Sequence, residues 1–157
     1  MGRYKKGLKT KNKIIQASKS LFYFNGYRKT TVQGIADLAD VNLGLISYYF
    51  KSKDNIAKSI FIGFLKEIEL EVRKTYPDNE DDVLPLYMVK ERIFFEIILN
   101  NDNYQRFYRE IINSNMVFTL LEDYVEKNYN SINDKVNRIN NKNLITAYSA
   151  LETGGRY

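Results

Sequence analysis

Cysteine and histidine are both absent from this chain of 157 residues. Without thiols no disulfide framework is possible, and zinc or copper sites built on thiolate or imidazole are excluded. The commonest general base and the commonest thiol nucleophile are missing as well, and no carboxylate or Ser-Lys spacing replaces them, so no enzyme and no cofactor is expected. Nor is there an apolar run of about eighteen residues, so no membrane span is expected. The N-terminal Met-Gly-Arg-Tyr-Lys-Lys-Gly is basic with no apolar stretch behind it, which argues against a secretory signal and for the cytoplasm. Strand-like alternation, proline-rich linkers and internal repeats are missing too. What is left is helical periodicity, and the expected fold class is all-α.

What is present begins with charge. Apolar residues at 44% can support a packed core. Lysine and arginine number 12 in residues 1–60 against Asp37, Asp40 and Asp54, a balance of +9; residues 61–157 hold 12 against 16 acids, a balance of −4, and together these give the net +5. This implies a basic module joined to a mildly acidic one, and the basic part has the charge needed to displace counterions from phosphates. Tyrosine is frequent at 13 residues, but Asn, Lys and Ile are frequent with it. That composition is what an AT-rich coding sequence gives, so tyrosine content alone indicates no binding surface.

Residues 1–10 carry Arg3, Lys5, Lys6 and Lys9 with no acid, and read as a flexible basic arm. From Lys11 an apolar stripe of Ile14, Ala17, Leu21 and Phe24, widened by Ile15 and Phe22, predicts a first helix ended by Asn25-Gly26. Thr30 with Gln33 three residues on suggests a capping box for a second helix, Thr31–Ala39, whose apolar face is Val32, Ile35, Ala36 and Ala39. After a turn at Asp40–Asn42, Asn42 is placed to cap a third helix, Leu43–Phe50, with Ile46 and Phe50 inward. Ser52 is placed to cap a fourth helix, Lys53 to about Thr75, and Tyr76–Asp81 reads as the loop that closes it. A fifth helix with Pro85 in its first turn runs to about Asn100. A sixth is capped by Asp102, a seventh spans Met116 to Ile139, and a last segment lies around Leu144–Leu151.

Two short helices joined by a turn of about three residues, braced by a first helix through Leu21 and Phe24, have the spacing of a helix-turn-helix, whose second helix enters the major groove. A generic three-helix bundle shares that spacing. The residue string is more specific: Thr30-Thr31-Val32-x-x-Ile35-Ala36-x-x-Ala39-x-Val41-Asn42-x-Gly44-x-Ile46-x-x-Tyr49-Phe50-Lys51-Ser52-Lys53 resembles the N-terminal domain of TetR-family transcriptional regulators. The resemblance takes in helix one and covers roughly residues 10–60.

By that resemblance, residues 1–55 form a DNA-binding domain with a basic arm, and residues 56–157 a helical domain for effector binding and dimerisation. The second part is expected to lack the family's usual last helices. The implied partner is double-stranded DNA carrying a palindromic operator, bound by a homodimer. The implied function is a repressor released by a small-molecule effector, through a change in the pose of helix four. Thr30 or Thr31 is expected at a phosphate, where helix N-termini favour anions. Asn42, Leu43, Gly44, Leu45, Ser47, Tyr48 and Tyr49 would face DNA, with Gly44 allowing close approach and Tyr48 reading a thymine methyl. Tyr49 and Lys53 match phosphate-binding positions, although the residues alone also allow a core-edge tyrosine and a solvated lysine. Lys51, Arg3, Lys5 and Lys6 add phosphate or minor-groove attraction.

Leu43, Leu45 and Ser47 depart from the family's commoner residues and make the reading face apolar, which suggests T-rich half-sites. Asp40 stands where glycine is usual, and Asp tolerates the left-handed conformation a turn needs there. In the second part most of Leu86, Phe94, Phe95, Ile98, Tyr104, Phe107, Tyr108, Phe118 and Tyr124 must be core. Phe94, Tyr104, Tyr108 and Phe118 are the candidate ligand contacts, with Arg109 and Glu110 as possible polar anchors. Two other readings stand beside this one: a DNA-binding regulator with no small-molecule ligand, and a helical interaction module that no longer binds DNA. The +9 balance of the first 60 residues argues against the module.

Overall fold

A computed structural model of the chain describes residues 2–75, 83–113 and 126. The expected loop at Tyr76–Asp81, the seventh helix, the segment around Leu144 and Phe118 lie outside the described residues. Six helices are seen and, among the described residues, no strand: α1 Gly2–Asn25, α2 Val32–Ala39, α3 Leu43–Phe50, α4 Lys53–Thr75, α5 Val83–Leu99 and α6 Asp102–Ile112. The all-α expectation holds.

The residues group into two compact units. One, the head, is Met1–Phe64 with Ile97–Asn113, and the other includes Leu65–Glu96. The division, expected after residue 55, comes after Phe64 within α4, and α6 belongs to the head together with α1, α2 and α3.

In the head, Ile14, Phe22, Ile35, Ile46 and Ile56 are almost completely buried, bringing α1, α2, α3 and the start of α4 onto one core. The α1 stripe differs from the expected one. Ile14, Ala17, Ser18 and Phe22 are buried, whereas Phe24 is 69% exposed and does not brace the pair. Phe22 takes that role because it has partners on two sides, the Tyr27 ring at 5.5 Å and the Phe107 ring of α6, stacked at 5.5 Å. The hydroxyl of buried Ser18 is satisfied by donating to the Ile14 carbonyl at 2.8 Å.

The basic arm is not an arm. Residues 2–10 are the opening turns of α1, with Thr10 Oγ1 donating to the Lys6 carbonyl at 3.0 Å. No proline interrupts this stretch, and lysine and leucine are good helix formers, so the ladder built from Lys11 onward continues back through it.

Each junction in the head has a local cause. Gly26 ends α1 at φ +85°, a left-handed conformation that costs glycine nothing. α2 ends in a Schellman motif, with Val41 N–H donating to the Ala36 carbonyl at 3.1 Å and Asp40 N–H to Asp37 at 3.2 Å. Asp40 takes the left-handed position at φ 52°, ψ 55°, as its residue type allows. Asn42 caps α3 by accepting Gly44 N–H at 2.8 Å, and Ser52 Oγ accepts Asn55 N–H at 3.1 Å at the start of α4.

In the second unit the buried Ile68 and Val72 lie on α4 and Phe94 on α5. Glu69 of α4 joins the two helices, 3.5 Å from Lys90 of α5 and 3.1 Å from Arg73 on its own helix.

Candidate nucleic-acid interface

The two turns of α3 separate cleanly by face. Ile46 and Phe50 are buried, and Asn42, Leu43, Gly44, Leu45, Ser47 and Tyr48 are exposed, Tyr48 to 76%. Three large apolar side chains thus stand in water on one short helix, where a monomeric fold gains nothing from leaving them. Tyr49 is half-buried at the edge, its ring 5.0 Å from that of Tyr48 and nearly perpendicular to it. At Gly44 a methyl group would stand 3.2 Å from Asn42 Oδ1, so the residue that could admit a close duplex also leaves room for the cap.

α2 sets the pose of α3, and its own cap is Thr31, not Thr30. Thr31 Oγ1 accepts Gly34 N–H at 3.0 Å, while Gln33 reaches forward to Asp37 at 2.7 Å instead of back to a capping box. Thr30 is only 3% exposed, and its hydroxyl donates to the Gly26 carbonyl at 2.7 Å. Thr30 therefore closes the α1–α2 loop and presents nothing at the surface. Thr31 is exposed.

Lys53, expected at a phosphate or in solvent, is occupied within the head. Its ammonium donates to the carbonyls of Tyr27 at 2.9 Å and Thr30 at 2.8 Å, and lies 4.3 Å from the centre of the Tyr27 ring. The α1–α2 loop leaves those two carbonyls without a helical partner, and a lysine at the start of α4 reaches both. Burial lowers its pKa below the ordinary lysine value, against the nearby Glu110 carboxylate, which raises it. The Tyr27 hydroxyl also hydrogen-bonds to Asp54, so the loop is tied to the first turn of α4 from two sides.

Lys5, Lys6 and Lys51 are exposed, and the side chain of Arg3 lies outside the described residues. Lys11 sits 5.5 Å over the Phe50 ring, and Lys13 is 3.6 Å from Asp40 in the turn. Neither of these two contacts is expected from the one-dimensional pattern, in which both lysines look like solvated positions.

The candidate ligand residues fall in both units. Phe94 belongs to the second unit, while Tyr104 and Tyr108 lie on α6 in the head, Tyr104 near the Tyr23 and Phe64 rings and Tyr108 near Phe61. Glu110, suggested as a polar anchor, accepts Arg28 N–H at 3.0 Å, and Arg109 donates to Gln105 at 3.1 Å on its own helix. The residue that sequence reasoning missed here is Arg106. It donates to the Tyr23 and Phe24 carbonyls at 2.7 and 3.1 Å and so satisfies the last turn of α1 from α6. α6 itself is capped by Asn101, one residue before the expected Asp102, with Asn101 Oδ1 accepting from Asn103 and Tyr104 N–H.

Comparison with known proteins agrees with this geometry. The family model described as bacterial regulatory proteins, tetR family, matches residues 14–60. The chain is similar to QacR, an HTH-type transcriptional regulator of Staphylococcus aureus, at 30% identity over 144 residues, 90% of this chain and 68% of QacR. It is similar as well to YttP, a probable HTH-type transcriptional regulator of Bacillus subtilis, at 29% identity over 127 residues, 75% of this chain and 58% of YttP. This chain thus spans roughly three fifths to two thirds of the length of those two relatives. Among solved structures, a HlyIIR mutant protein aligns with TM-score 0.50 and 23% identity over 94% of this chain and 74% of its own, a likeness of fold.

Proposed function

This chain belongs to the TetR family of bacterial regulatory proteins, and from that premise we propose that it binds duplex DNA through α3 and regulates transcription. The carrying observation is the exposed apolar face of Leu43, Leu45 and Tyr48 on a helix whose other side is locked into the core. Thymine methyls are the major-groove groups that such a face can contact. Gly44 and Ser47 complete the reading surface, and Thr31, Tyr49, Lys51, Lys5 and Lys6 supply phosphate contacts, which fix register without reading sequence.

The same reading makes the protein a cytoplasmic homodimer on a two-fold operator. It acts as a repressor, released when a small molecule binds among the helices after residue 55. No helix among the described residues is long and apolar enough to cross a membrane. Aromatic side chains at Tyr104 and Tyr108 support a ligand surface on α6, but the pairing of Arg106 and Glu110 with α1 and its loop gives α6 a structural task as well.

Selection of bound duplexes from a random library, repeated at two salt concentrations, tests the proposal. T-rich half-sites in two-fold arrangement, about one helical turn or a multiple apart, are expected. G/C-rich half-sites would reject methyl reading by the apolar face, and no enrichment at either salt would reject DNA recognition altogether.

A further inference from the structure

The opening turns of α1 touch the end of α3 and the turn before it through three contacts. At Gly7 a methyl group would stand 3.1 Å from the hydroxyl oxygen of Tyr49, so a side chain there would push that hydroxyl aside by a few tenths of an ångström. One turn later Lys11 lies over the Phe50 ring, and beyond it Lys13 meets Asp40 in the turn that precedes α3. Gly7, Lys11 and Ile14 are at i, i+4 and i+7, one seam of a helix, and Ile14 is fully buried. The opening turns of α1 therefore touch the end of α3 at Tyr49 and Phe50 and the turn before it at Asp40.

Glycine is a poor choice inside a helix, where it is roughly 1 kcal/mol less favourable than alanine. At φ values that any residue adopts, a glycine in the second turn of α1 calls for another reason, and the close approach of Tyr49 supplies one. We infer that Gly7 is a positioning residue for DNA binding: its missing side chain lets the Tyr49 hydroxyl sit where it meets a phosphate. Lys5 and Lys6 on the same turns of α1 are exposed. The inference rests on the reading of Tyr49 as a phosphate contact, and it concerns a position outside the matched residues 14–60.

A methyl at Gly7 displaces the far end of a tyrosine, which moves easily, so the fold should tolerate it. Two effects of opposite sign are expected. Gly7→Ala should leave the unfolding midpoint unchanged or raise it, because a helix interior gains from alanine. It should also weaken binding, because the hydroxyl is moved from its partner. The measurement is fluorescence anisotropy with the labelled duplex recovered by library selection, on the wild type, Gly7→Ala, Tyr49→Phe and the double variant, each with its thermal midpoint. Tyr49→Phe should weaken binding about tenfold or more, the worth of one hydrogen bond to a charged group. Gly7→Ala should weaken it by a comparable factor, and the double variant should be no weaker than Tyr49→Phe alone. Salt dependence should be the same for all four, since no charge changes.

Several results overturn the inference, and they are distinguishable. Wild-type affinity in Gly7→Ala with a loss in Tyr49→Phe removes the positioning role and leaves the phosphate contact. Losses that multiply in the double variant show that Gly7 acts elsewhere. A lowered midpoint in Gly7→Ala makes the contact a matter of folding. Wild-type affinity in Tyr49→Phe removes the phosphate contact itself, and failure of the selection to recover any duplex removes the DNA reading on which both depend.

Discussion

Lys53 shows how far residue type and residue role can separate. On sequence it is a cation at the start of the helix that follows the expected recognition helix, which is where the family resemblance puts a phosphate contact. In the fold its ammonium holds the carbonyls of Tyr27 and Thr30 and covers the Tyr27 ring. The two roles predict different experiments. Lys53→Met should lower stability by about 1–3 kcal/mol in urea unfolding, because it leaves two carbonyls without their donor. It should leave the slope of log affinity against log salt nearly unchanged. Lys6→Ala should do the reverse, lowering that slope by about one while shifting the urea midpoint little. A similar separation applies to the adjacent threonines. Nothing in the string Thr30-Thr31 says which hydroxyl caps α2, because both are competent caps. The choice is made by Gly26, whose carbonyl takes the Thr30 hydroxyl and leaves Thr31 at the helix start.

At the scale of elements, signals carried by single residues were legible. Gly26, Asn42 and Ser52 mark the junctions where they are observed, and α2, α3, α4 and α5 lie within a residue or so of their expected bounds. Signals that needed a partner were not. Periodicity allowed α1 to bury either Phe24 or Phe22, and the stack of Phe107 on Phe22 decides it from a helix some eighty residues away in sequence. The arm failed as an expectation for a different reason: a lysine-rich segment with no cap looks unstructured, yet the ladder of α1 and the Tyr49 contact carry it into the helix.

Two predictions belong at this scale. Thr31→Ala removes the α2 cap and should cost about 1 kcal/mol in urea unfolding. Gly26→Ala should cost more, about 1–3 kcal/mol, since alanine is strained at φ +85° and its methyl would lie 3.0 Å from the Glu110 carboxylate. Both are read as shifts in the urea midpoint with unchanged slope.

For the molecule as a whole, the class, the helix-turn-helix and the exposed face of α3 were legible in the sequence, because they depend on patterns within about fifty residues. The membership of α6 in the head did not, since it rests on Arg106 reaching the end of α1 and Glu110 reaching Arg28. Residues 1–60 carry a balance of +9 and the remainder −4, so association with DNA should be steeply salt-dependent even for a chain whose net charge is only +5. If two heads engage one operator, sedimentation of the complex should give two chains per selected duplex, and one chain per duplex would contradict the dimeric arrangement.

The most direct test of DNA recognition by α3 is a pair of affinities measured for the wild-type chain at about 0.15 M salt. One is for the selected duplex and the other for a scrambled duplex of the same length and composition, and a ratio of about a thousandfold or more is predicted. Equal affinities for the two duplexes would contradict recognition by α3, because they would leave only charge attraction and no role for Leu43, Leu45 and Tyr48.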